Sequence, residues 1–234
     1  MREIIFDTET TGFRPEEGER VIEIGAIEFE NRVETGRTFH EYINPEGRQV
    51  DPGAFRVHGI SNEFLNDKKP FSQIAKNFMD FVGDAILVAH NAPFDINFLN
   101  HEFARLDMPP VDPDKVVDTL EIARRKHPMA QNSLDRLCDR YNINNKHRTF
   151  HGALLDSQLL AEVYIELLGG RQTTLELVSE TQTTSESNGP IVTTSIDKPI
   201  RIQPLSSRLT AAEKSSHDAF IEKMGENALW KKYQ

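Results

Sequence analysis

Two carboxylates stand two residues apart near the start of the chain. Asp7 and Glu9 end a run of apolar and β-branched residues that has the composition of a strand. Side chains alternate across a strand, so residues i and i+2 share a face and both carboxylates can meet at one point. Such a pair is costly unless a cation neutralises it, and oxygen ligands suit Mg²⁺ or Mn²⁺. The pair therefore indicates either a cation site or a solvated strand end.

Two later segments place acidic and imidazole side chains at the starts of predicted helices. Asp95 falls in the first turn of one helix, where its charge also suits the helix dipole. His151 and Asp156 are five residues apart, a spacing that does not share a helical face, so His151 must precede its helix if the two are to meet. His147 and His151 form an alternative metal pair at i and i+4, although no further soft ligand is nearby.

The elements that must position these residues follow an α/β pattern over the first 170 residues. Five strands are predicted, at 3–7, 21–30, 38–44, 85–90 and 116–118. Four helices are predicted, at 72–82, 94–106, 133–141 and 152–168. Ser133 is the expected cap of the third helix, and the single cysteine, Cys138, falls on that helix's apolar face. This placement favours a core role for Cys138.

Composition limits the classes of protein to which the chain can belong. Its 234 residues contain 27 Lys and Arg against 37 Asp and Glu, a formal net charge of −10. An acidic chain has no general attraction for polyphosphate, so it must bind any nucleic acid locally or through metal ions. One cysteine excludes an internal disulfide and a paired-cysteine zinc site. Without a long apolar run or a signal peptide, a cytoplasmic protein is expected.

The composition changes after residue 170, which predicts a domain over residues 1–170 followed by appended segments. Residues 179–199 are rich in Ser and Thr and have the composition of a flexible linker. Residues 200–234 are too few to bury a core alone. Their last part keeps a cluster of large side chains, Leu229, Trp230 and Tyr233. This cluster favours a segment that docks on a partner, with a frayed terminus as the alternative.

Three segments taken together resemble the DEDDh family of 3′ to 5′ exonucleases, whose fold is ribonuclease H-like. They are residues 7–12 (Asp-Thr-Glu-Thr-Thr-Gly), Asp95 within His-Asn-x-x-Phe-Asp, and His151 with Asp156. Further stretches are similar to the proofreading subunits of bacterial replicative DNA polymerases. These stretches are residues 22–26, 57–60 and 132–135. The resemblance covers about residues 3–170, and it identifies that part as an exonuclease domain with a mixed sheet flanked by helices.

The resemblance implies a proofreading exonuclease that removes mispaired 3′-terminal nucleotides from DNA. It assigns two divalent cations, Mg²⁺ or Mn²⁺, to Asp7, Glu9, Asp95 and Asp156. Two cations about 3.5 to 4 Å apart suit phosphodiester hydrolysis, because one can serve the water nucleophile and the other the leaving oxygen. His151 is the expected general base, since an imidazole titrates near neutral pH. Asp95 is expected to act beside it, at the second cation.

The 3′-terminal nucleotide is expected to contact side chains and backbone around the same carboxylates. His58, expected in a loop, could stack on a base or bond to a phosphate, with a loop-capping role as the alternative. Thr10 and the two residues after it could offer backbone groups to the same nucleotide. Gly53 lies in a segment expected to line the pocket, but it has no side chain where relatives can carry a carboxylate.

Residues 171–178 are similar to the Gln-x-x-Leu peptides that bacterial replication proteins insert into the sliding clamp. The expected anchors are Gln172, Leu175 and Leu177, and the alternative is the ordinary start of a linker. The predicted partners are therefore a single-stranded 3′ end of DNA, the sliding clamp, and the polymerase subunit through the tail 200–234, at the replication fork. Two alternatives stay open: an RNA-trimming exonuclease of the same type, and a mainly polymerase-stabilising subunit.

Overall fold

A mixed sheet of six strands organises the first part of the chain in this computed structural model, which describes residues 1–145, 150–170 and 210–224. The strands are β1 (Arg2–Thr10), β2 (Val21–Glu30), β3 (Val33–Asn44), β4 (Lys69–Pro70), β5 (Ile86–Ala89) and β6 (Val116–Asp118). Their order across the sheet is β4-β3-β2-β1-β5-β6. The strands β1, β2 and β3 pair antiparallel, whereas β5 pairs parallel to β1 and β6 parallel to β5. The short β4 pairs parallel to β3.

Helices surround this sheet. They are α1 (Pro52–His58), α2 (Asn62–Leu65), α3 (Phe71–Val82), α4 (Ala92–Ala104), α5 (Thr119–Lys126), α6 (Leu134–Tyr141) and α7 (Ala153–Leu167). A further helix, α8 (Ala211–Lys223), comes later in the chain. The chain divides into two units, Met1–Leu177 and Val178–Gln234, and α8 belongs to the second. In α8, Thr210 and Glu213 form a capping box at the first turn. None of the described helices is long and apolar enough to cross a bilayer.

The alternation of side chains along β1 divides the core into two layers. Ile4 and Phe6 are fully buried in a cluster with residues of α3 and α4. Ile5, on the other face, is fully buried in a cluster with residues of α7. Because residues i and i+2 share a face, Asp7 and Glu9 continue the Ile5 face and point toward the layer that contains α7.

Gly25 lets α7 lie directly on the sheet beside the carboxylates. It is the register partner of Asp7 on β2. A Cβ atom built at Gly25 would stand 2.1 Å from the backbone nitrogen of Leu154, in the first turn of α7. Only a residue without a side chain permits this approach. The contact brings the first turn of α7, with Asp156, next to the carboxyl end of β1.

The predicted α/β class, with helices flanking a mixed sheet, is confirmed, and the differences are local. The five predicted strands are present, although β3 begins at Val33 rather than at residue 38. The sixth strand, β4, has two residues, which are too few to form a periodic pattern. The four predicted helices are also present within two residues at each end, and Ser133 caps α6 by accepting a hydrogen bond from Arg136 N–H. Cys138 is fully buried, as its helical face predicts.

The predictions missed α1, α2 and α5, which are short and lack an extended apolar period. One consequence concerns the site, because the prediction of a loop around His58 is wrong. His58 is the last residue of α1, and Gly59 ends that helix in the left-handed region with φ of 71°. The predicted segments 171–178 and 179–199 lie outside the described residues, and so do residues 200–209 and 225–234 of the predicted tail. These boundaries stay predictions.

Candidate active site

Asp7 and Glu9 lie at the carboxyl end of β1, in the middle of the sheet. Asp7 pairs in register with Gly25 and Glu9 with Glu23 of the neighbouring β2. Glu9 is buried and Asp7 is half-buried. Their common face is the one on which α7 packs, so the two carboxylates point at the start of that helix. The alternation predicted for this strand therefore places both side chains on one face.

Asp156 and His151 meet the β1 carboxylates from the start of α7. His151 precedes the helix, and its Nδ1 lies 3.1 Å from Asp156 Oδ2. A second bond fixes the backbone, since His151 N–H donates to the carbonyl of Val57 at 3.1 Å. One ligand atom each from Glu9, His151 and Asp156 lies within 4.8 Å of the other two. These three side chains therefore form a group that could hold a metal ion.

The contact with Asp156 determines which nitrogen of the neutral His151 ring carries the proton. A carboxylate accepts hydrogen bonds, so Nδ1 is the protonated nitrogen and Nε2 keeps its lone pair in the neutral ring. The side chain of His151 is 42% exposed, whereas that of Asp156 is 5% exposed. An exposed imidazole that is oriented by a buried carboxylate can accept a proton from water at Nε2. His147 lies outside the described residues, so the alternative histidine pair stays a prediction.

Asp95 reaches β1 from the other side. The strand β5 ends at Ala89, so the edge of β1 beyond it is open to the first turn of α4. Asp95 Oδ1 accepts hydrogen bonds there from Thr8 N–H at 3.1 Å and from Thr8 Oγ1 at 2.6 Å. The side chain is 3% exposed, and this burial raises the pKa of the Asp95 carboxyl to about 7. The bonds from Thr8 oppose that rise, and the charge of Asp118 adds to it.

The effects of Thr8 and Asp118 on the Asp95 carboxyl were not predicted from the sequence. Thr8 lies on the opposite face of β1 from Asp7, and alternation alone gives no reason to place it in a site. Asp118, at the end of β6, accepts a hydrogen bond from Asn91 N–H at 2.9 Å and so attaches the residue before α4 to the sheet. The available signal for Asp118 was its position as the last residue of a predicted strand, at the carboxyl end where parallel sheets place their sites.

His58 lies near these residues but is buried rather than open to solvent. It is 5% exposed, and Nδ1 accepts a hydrogen bond from Ile60 N–H at 3.0 Å. The proton of the neutral ring is therefore on Nε2, which has no hydrogen-bond partner among the described residues. Burial lowers the pKa of His58, against the opposing effects of the Thr10 backbone and the charge of Glu23. His58 is thus a neutral donor at pH 7.

The segments predicted to contact a terminal nucleotide lie side by side. Thr10 donates from Oγ1 to the carbonyl of Gly12 at 2.6 Å, which shapes the turn after β1. Gly53 is in the first turn of α1, where its N–H donates to the capping residue Asp51 at 2.6 Å. Gly12 and Asp51 both line a pocket of about 180 Å³. A larger cavity of about 780 Å³, around Phe29 and the α7 surface, has in its lining none of the predicted site residues that the structure describes.

The remaining predicted site residues lie outside the described part of the chain. They are Gln172, Leu175 and Leu177 of the possible clamp-binding peptide, and Leu229, Trp230 and Tyr233 of the possible docking tail. Their roles stay predictions.

Comparison with known proteins places this arrangement in a family. Residues 4–164 match the RNase T family of exonucleases. The chain belongs to this exonuclease family. A relative from Rickettsia felis, named DNA polymerase III subunit epsilon, is 45% identical over 94% of this chain and 96% of its own length. One of the same name from Escherichia coli is 43% identical over 98% of this chain and 97% of its own length. The predicted family and the predicted enzyme class are thereby confirmed.

Solved structures agree on the fold. The nuclease domain of 3′hExo, described as a DEDDh family member bound to rAMP, matches with a TM-score of 0.62 and 21% identity, over 71% of this chain and 91% of that one. Exonuclease X in complex with 5′ overhanging duplex DNA matches with a TM-score of 0.55 and 24% identity, over 71% of this chain and 90% of that one. Membership of this exonuclease family implies divalent metal ions, and the group of Glu9, His151 and Asp156 offers suitable ligands for one.

Proposed function

We propose that this chain is the proofreading 3′ to 5′ exonuclease of a bacterial replicative DNA polymerase. The observation that carries the proposal is the convergence of Glu9, His151 and Asp156 within 4.8 Å at the carboxyl end of β1. Asp95 is bonded to the same strand end through Thr8. Asp7 shares a strand face with Glu9, so four carboxylates and one oriented imidazole lie around the end of β1. These residue types are suited to phosphodiester hydrolysis, and the family and the named relatives agree with that chemistry.

The donor set fits two divalent cations. Asp7, Glu9 and Asp156 would hold the cation nearer His151, and Asp95 with Asp7 would hold the second, as Mg²⁺ or Mn²⁺. Asp95 supports this fit, because its pKa is raised to about 7 by burial and by the charge of Asp118, and no positive charge among the described residues is a cause that opposes the rise. When bound, the cations would neutralise charge at the phosphate and activate the attacking water. They would also reduce the repulsion of the DNA by the carboxylates.

His151 takes the proton from the attacking water at Nε2. Asp156 orients the ring through Nδ1 and stabilises the imidazolium that forms, since the two atoms are 3.1 Å apart. Because Asp156 is buried and belongs to the first turn of α7, the orientation of the ring depends on the packing of that helix on Gly25. The water oxygen then bonds to phosphorus, and the bond from phosphorus to the 3′ oxygen of the penultimate nucleotide breaks. That oxygen takes up a proton from solvent, and the terminal nucleotide is released as its 5′-monophosphate.

The 3′-terminal nucleotide binds between the turn after β1 and the helix α1. Thr10 and Gly12 provide backbone groups from the turn, and His58 provides the N–H at Nε2 from the end of α1. Gly53 contributes space but no side chain, and its N–H is used by Asp51. Recognition of the 3′ hydroxyl therefore relies on the turn and on His58 rather than on a carboxylate at position 53.

The proposed partners are the polymerase subunit and the sliding clamp. The relatives are named as a subunit of DNA polymerase III, which supports association with a polymerase. The composition of residues 179–199 and the aromatic tail around Trp230 suggest a tether with a docking end. A flexible tether gives millimolar effective concentrations, so even weak clamp binding through Gln172 to Leu177 would be useful at the replication fork.

The test compares substrates and metals on the full chain. Matched and mismatched DNA primers and a single-stranded RNA of the same sequence are incubated with Mg²⁺, with Mn²⁺ or with EDTA. We expect metal-dependent release of nucleoside 5′-monophosphates, with single-stranded and mismatched DNA ends preferred. Faster cleavage of RNA would favour the RNA-trimming alternative, and no metal-dependent cleavage of either would contradict an exonuclease.

A matched set of variants links the activity to the site. Asp7→Ala or Asp156→Ala should abolish hydrolysis and leave the fold intact, because each removes a carboxylate from a mutually repelling group. The control is Glu28→Gln, a buried carboxylate that pairs with Arg2 and Arg37. Glu28 lies five residues along β2 from Glu23, the register partner of Glu9. At the rise of a strand this separates the control from the site by roughly 17 Å. Metal-dependent activity retained in Asp7→Ala would contradict the assignment.

A further inference from the structure

A buried ion pair lies next to the site and takes part in none of the proposed steps. Arg20, just before β2, donates from Nε to Glu102 Oε1 at 2.7 Å and from Nη2 to Glu102 Oε2 at 2.9 Å. Val21 N–H donates to the same Oε1 at 3.2 Å. Arg20 is 7% exposed and Glu102 is 2% exposed. Two parallel bonds from a planar guanidinium fix orientation as well as distance, so this pair attaches the start of β2 rigidly to α4.

Glu102 lies on the same face of α4 as Asp95, seven residues further along the helix. At a rise of 1.5 Å per residue, the two side chains attach to the helix at points about 10 Å apart along its axis. One attachment is the pair of bonds from Thr8 to Asp95, and the other is the ion pair with Arg20. A helix attached at two such points cannot pivot unless one attachment breaks. The placement of Asp95 therefore depends on Glu102.

The backbone of Arg20 also fixes the middle of the turn 10–12. Thr11 N–H donates to the carbonyl of Arg20 at 2.9 Å, and Arg20 N–H donates to Thr11 Oγ1 at 2.8 Å. The carbonyl of Thr11 accepts a further bond at 2.8 Å from the N–H of Asp51. Asp51 caps α1, the helix that ends at His58. The position of Arg20 is thus transmitted to both segments that are proposed to bind the terminal nucleotide.

We propose that Arg20 and Glu102 are positioning residues for the 3′-terminal nucleotide. Their ion pair holds the turn 10–12 and α4 in the arrangement that binds this nucleotide, and neither side chain touches the substrate. This inference rests on the proposed exonuclease function. Breaking the pair weakens nucleotide binding more than it slows the chemical step. It disturbs the turn 10–12 and the Asp95 carboxylate, which would bind the nucleotide through the second cation, whereas the imidazole that accepts the proton is oriented by Asp156 of α7.

The experiment uses the full chain with three substitutions. Glu102→Gln removes the charge of the acceptor, and Arg20→Lys keeps the positive charge but replaces the planar fork with a single ammonium. The control Glu28→Gln changes an equally buried carboxylate, 4% exposed, which is bonded to Arg2, Arg37 and Thr35 at the other end of β2. KM and kcat are measured on single-stranded DNA, and the binding of thymidine 5′-monophosphate is measured by calorimetry with Mn²⁺ present.

We expect KM and the dissociation constant of the monophosphate to rise by about 10- to 100-fold in Glu102→Gln, the factor by which the loss of one hydrogen bond between charged groups changes an equilibrium constant. Arg20→Lys should show a smaller rise in the same two constants, with kcat changed much less than KM. Arg20→Lys also keeps the test valid if Glu102→Gln does not fold. In the control, the melting temperature can fall, but both binding constants should remain those of the unmodified chain.

Two results would overturn the inference. One is a Glu102→Gln variant that melts at a lower temperature but binds the monophosphate and DNA as tightly as the unmodified chain, since the pair would then only stabilise the fold. The other is an equal loss of binding in Glu28→Gln, which would indicate general destabilisation. Failure of the proposed function is a separate result, because it would appear as an unmodified chain that does not hydrolyse DNA. Calorimetry would still measure the effect of the pair in that case.

Discussion

Asp95 offers a direct test of the electrostatics of the site through the substitution Asp95→Asn. The side chain is 3% exposed, and its Oδ1 accepts both bonds from Thr8. Asparagine has the same shape and keeps an oxygen that can accept both bonds, so the substitution removes the ionisable group with little change in packing. In the metal-free protein we expect Asp95→Asn to be more stable than the unmodified chain at neutral pH. The reason is that the variant does not bury the negative charge of the ionised Asp95 carboxylate.

The size and the pH dependence of this gain follow from the pKa of Asp95. Burial raises that pKa from 3.8 to about 7, so the folded protein retains a proton that the unfolded chain loses. The unmodified chain therefore loses stability as the pH rises from about 4 to about 7, and the loss is complete above that range. At about 1.4 kcal/mol per pKa unit, the upper limit is about 4 kcal/mol. In a protein of this size that limit corresponds to roughly 8 to 16 °C in melting temperature.

The assay is thermal melting of both proteins in EDTA between pH 4 and pH 8, followed by the same series with Mn²⁺. The difference between the variant and the unmodified chain should be near zero at pH 4 and largest at pH 8. Mn²⁺ should reverse the order, because the charged carboxylate of Asp95 binds the cation more strongly than the neutral amide of asparagine. An exposed control, Asp84→Asn, should change stability by less than about 0.5 kcal/mol, as surface substitutions usually do. A difference for Asp95→Asn that did not vary with pH would refute the reasoning.

Three further predictions concern catalysis, packing and assembly. His151→Ala should lower kcat by a factor of about 10² to 10⁴ with Mn²⁺ binding largely kept, whereas His147→Ala should leave kcat nearly unchanged. An equal loss of activity and of Mn²⁺ affinity in both variants would favour the histidine pair. Gly25→Ala should destabilise the fold by about 1 to 3 kcal/mol or more, because its Cβ would clash with Leu154 N, and an unchanged melting temperature would contradict this. A chain ending at Gly170 should retain exonuclease activity on free oligonucleotides but fail to co-purify with the polymerase; polymerase binding as tight as that of the full chain would rule out the tether.

The elements with strong local patterns were predicted from the sequence. The strands around Ile5 and Ile27 and the long helices with apolar faces agree with the structure within a few residues, because their periodicity depends only on the local chain. The same periodicity placed Asp7 and Glu9 on one face. The three short helices were missed, since four to eight residues seldom show a full apolar period and are stabilised by packing instead. His58 was expected in a loop for that reason.

The sequence by itself determined the residue types of the site and the family to which they belong. Only the tertiary structure decided how these residues meet. The order β2-β1-β5 leaves the end of β1 open to α4, and this opening lets Thr8 bond to Asp95. The absence of a side chain at Gly25 lets α7 bring Asp156 to the same strand end. Each of these contacts joins residues more than 80 positions apart, and no local pattern encodes such a pairing because it depends on how separate layers pack.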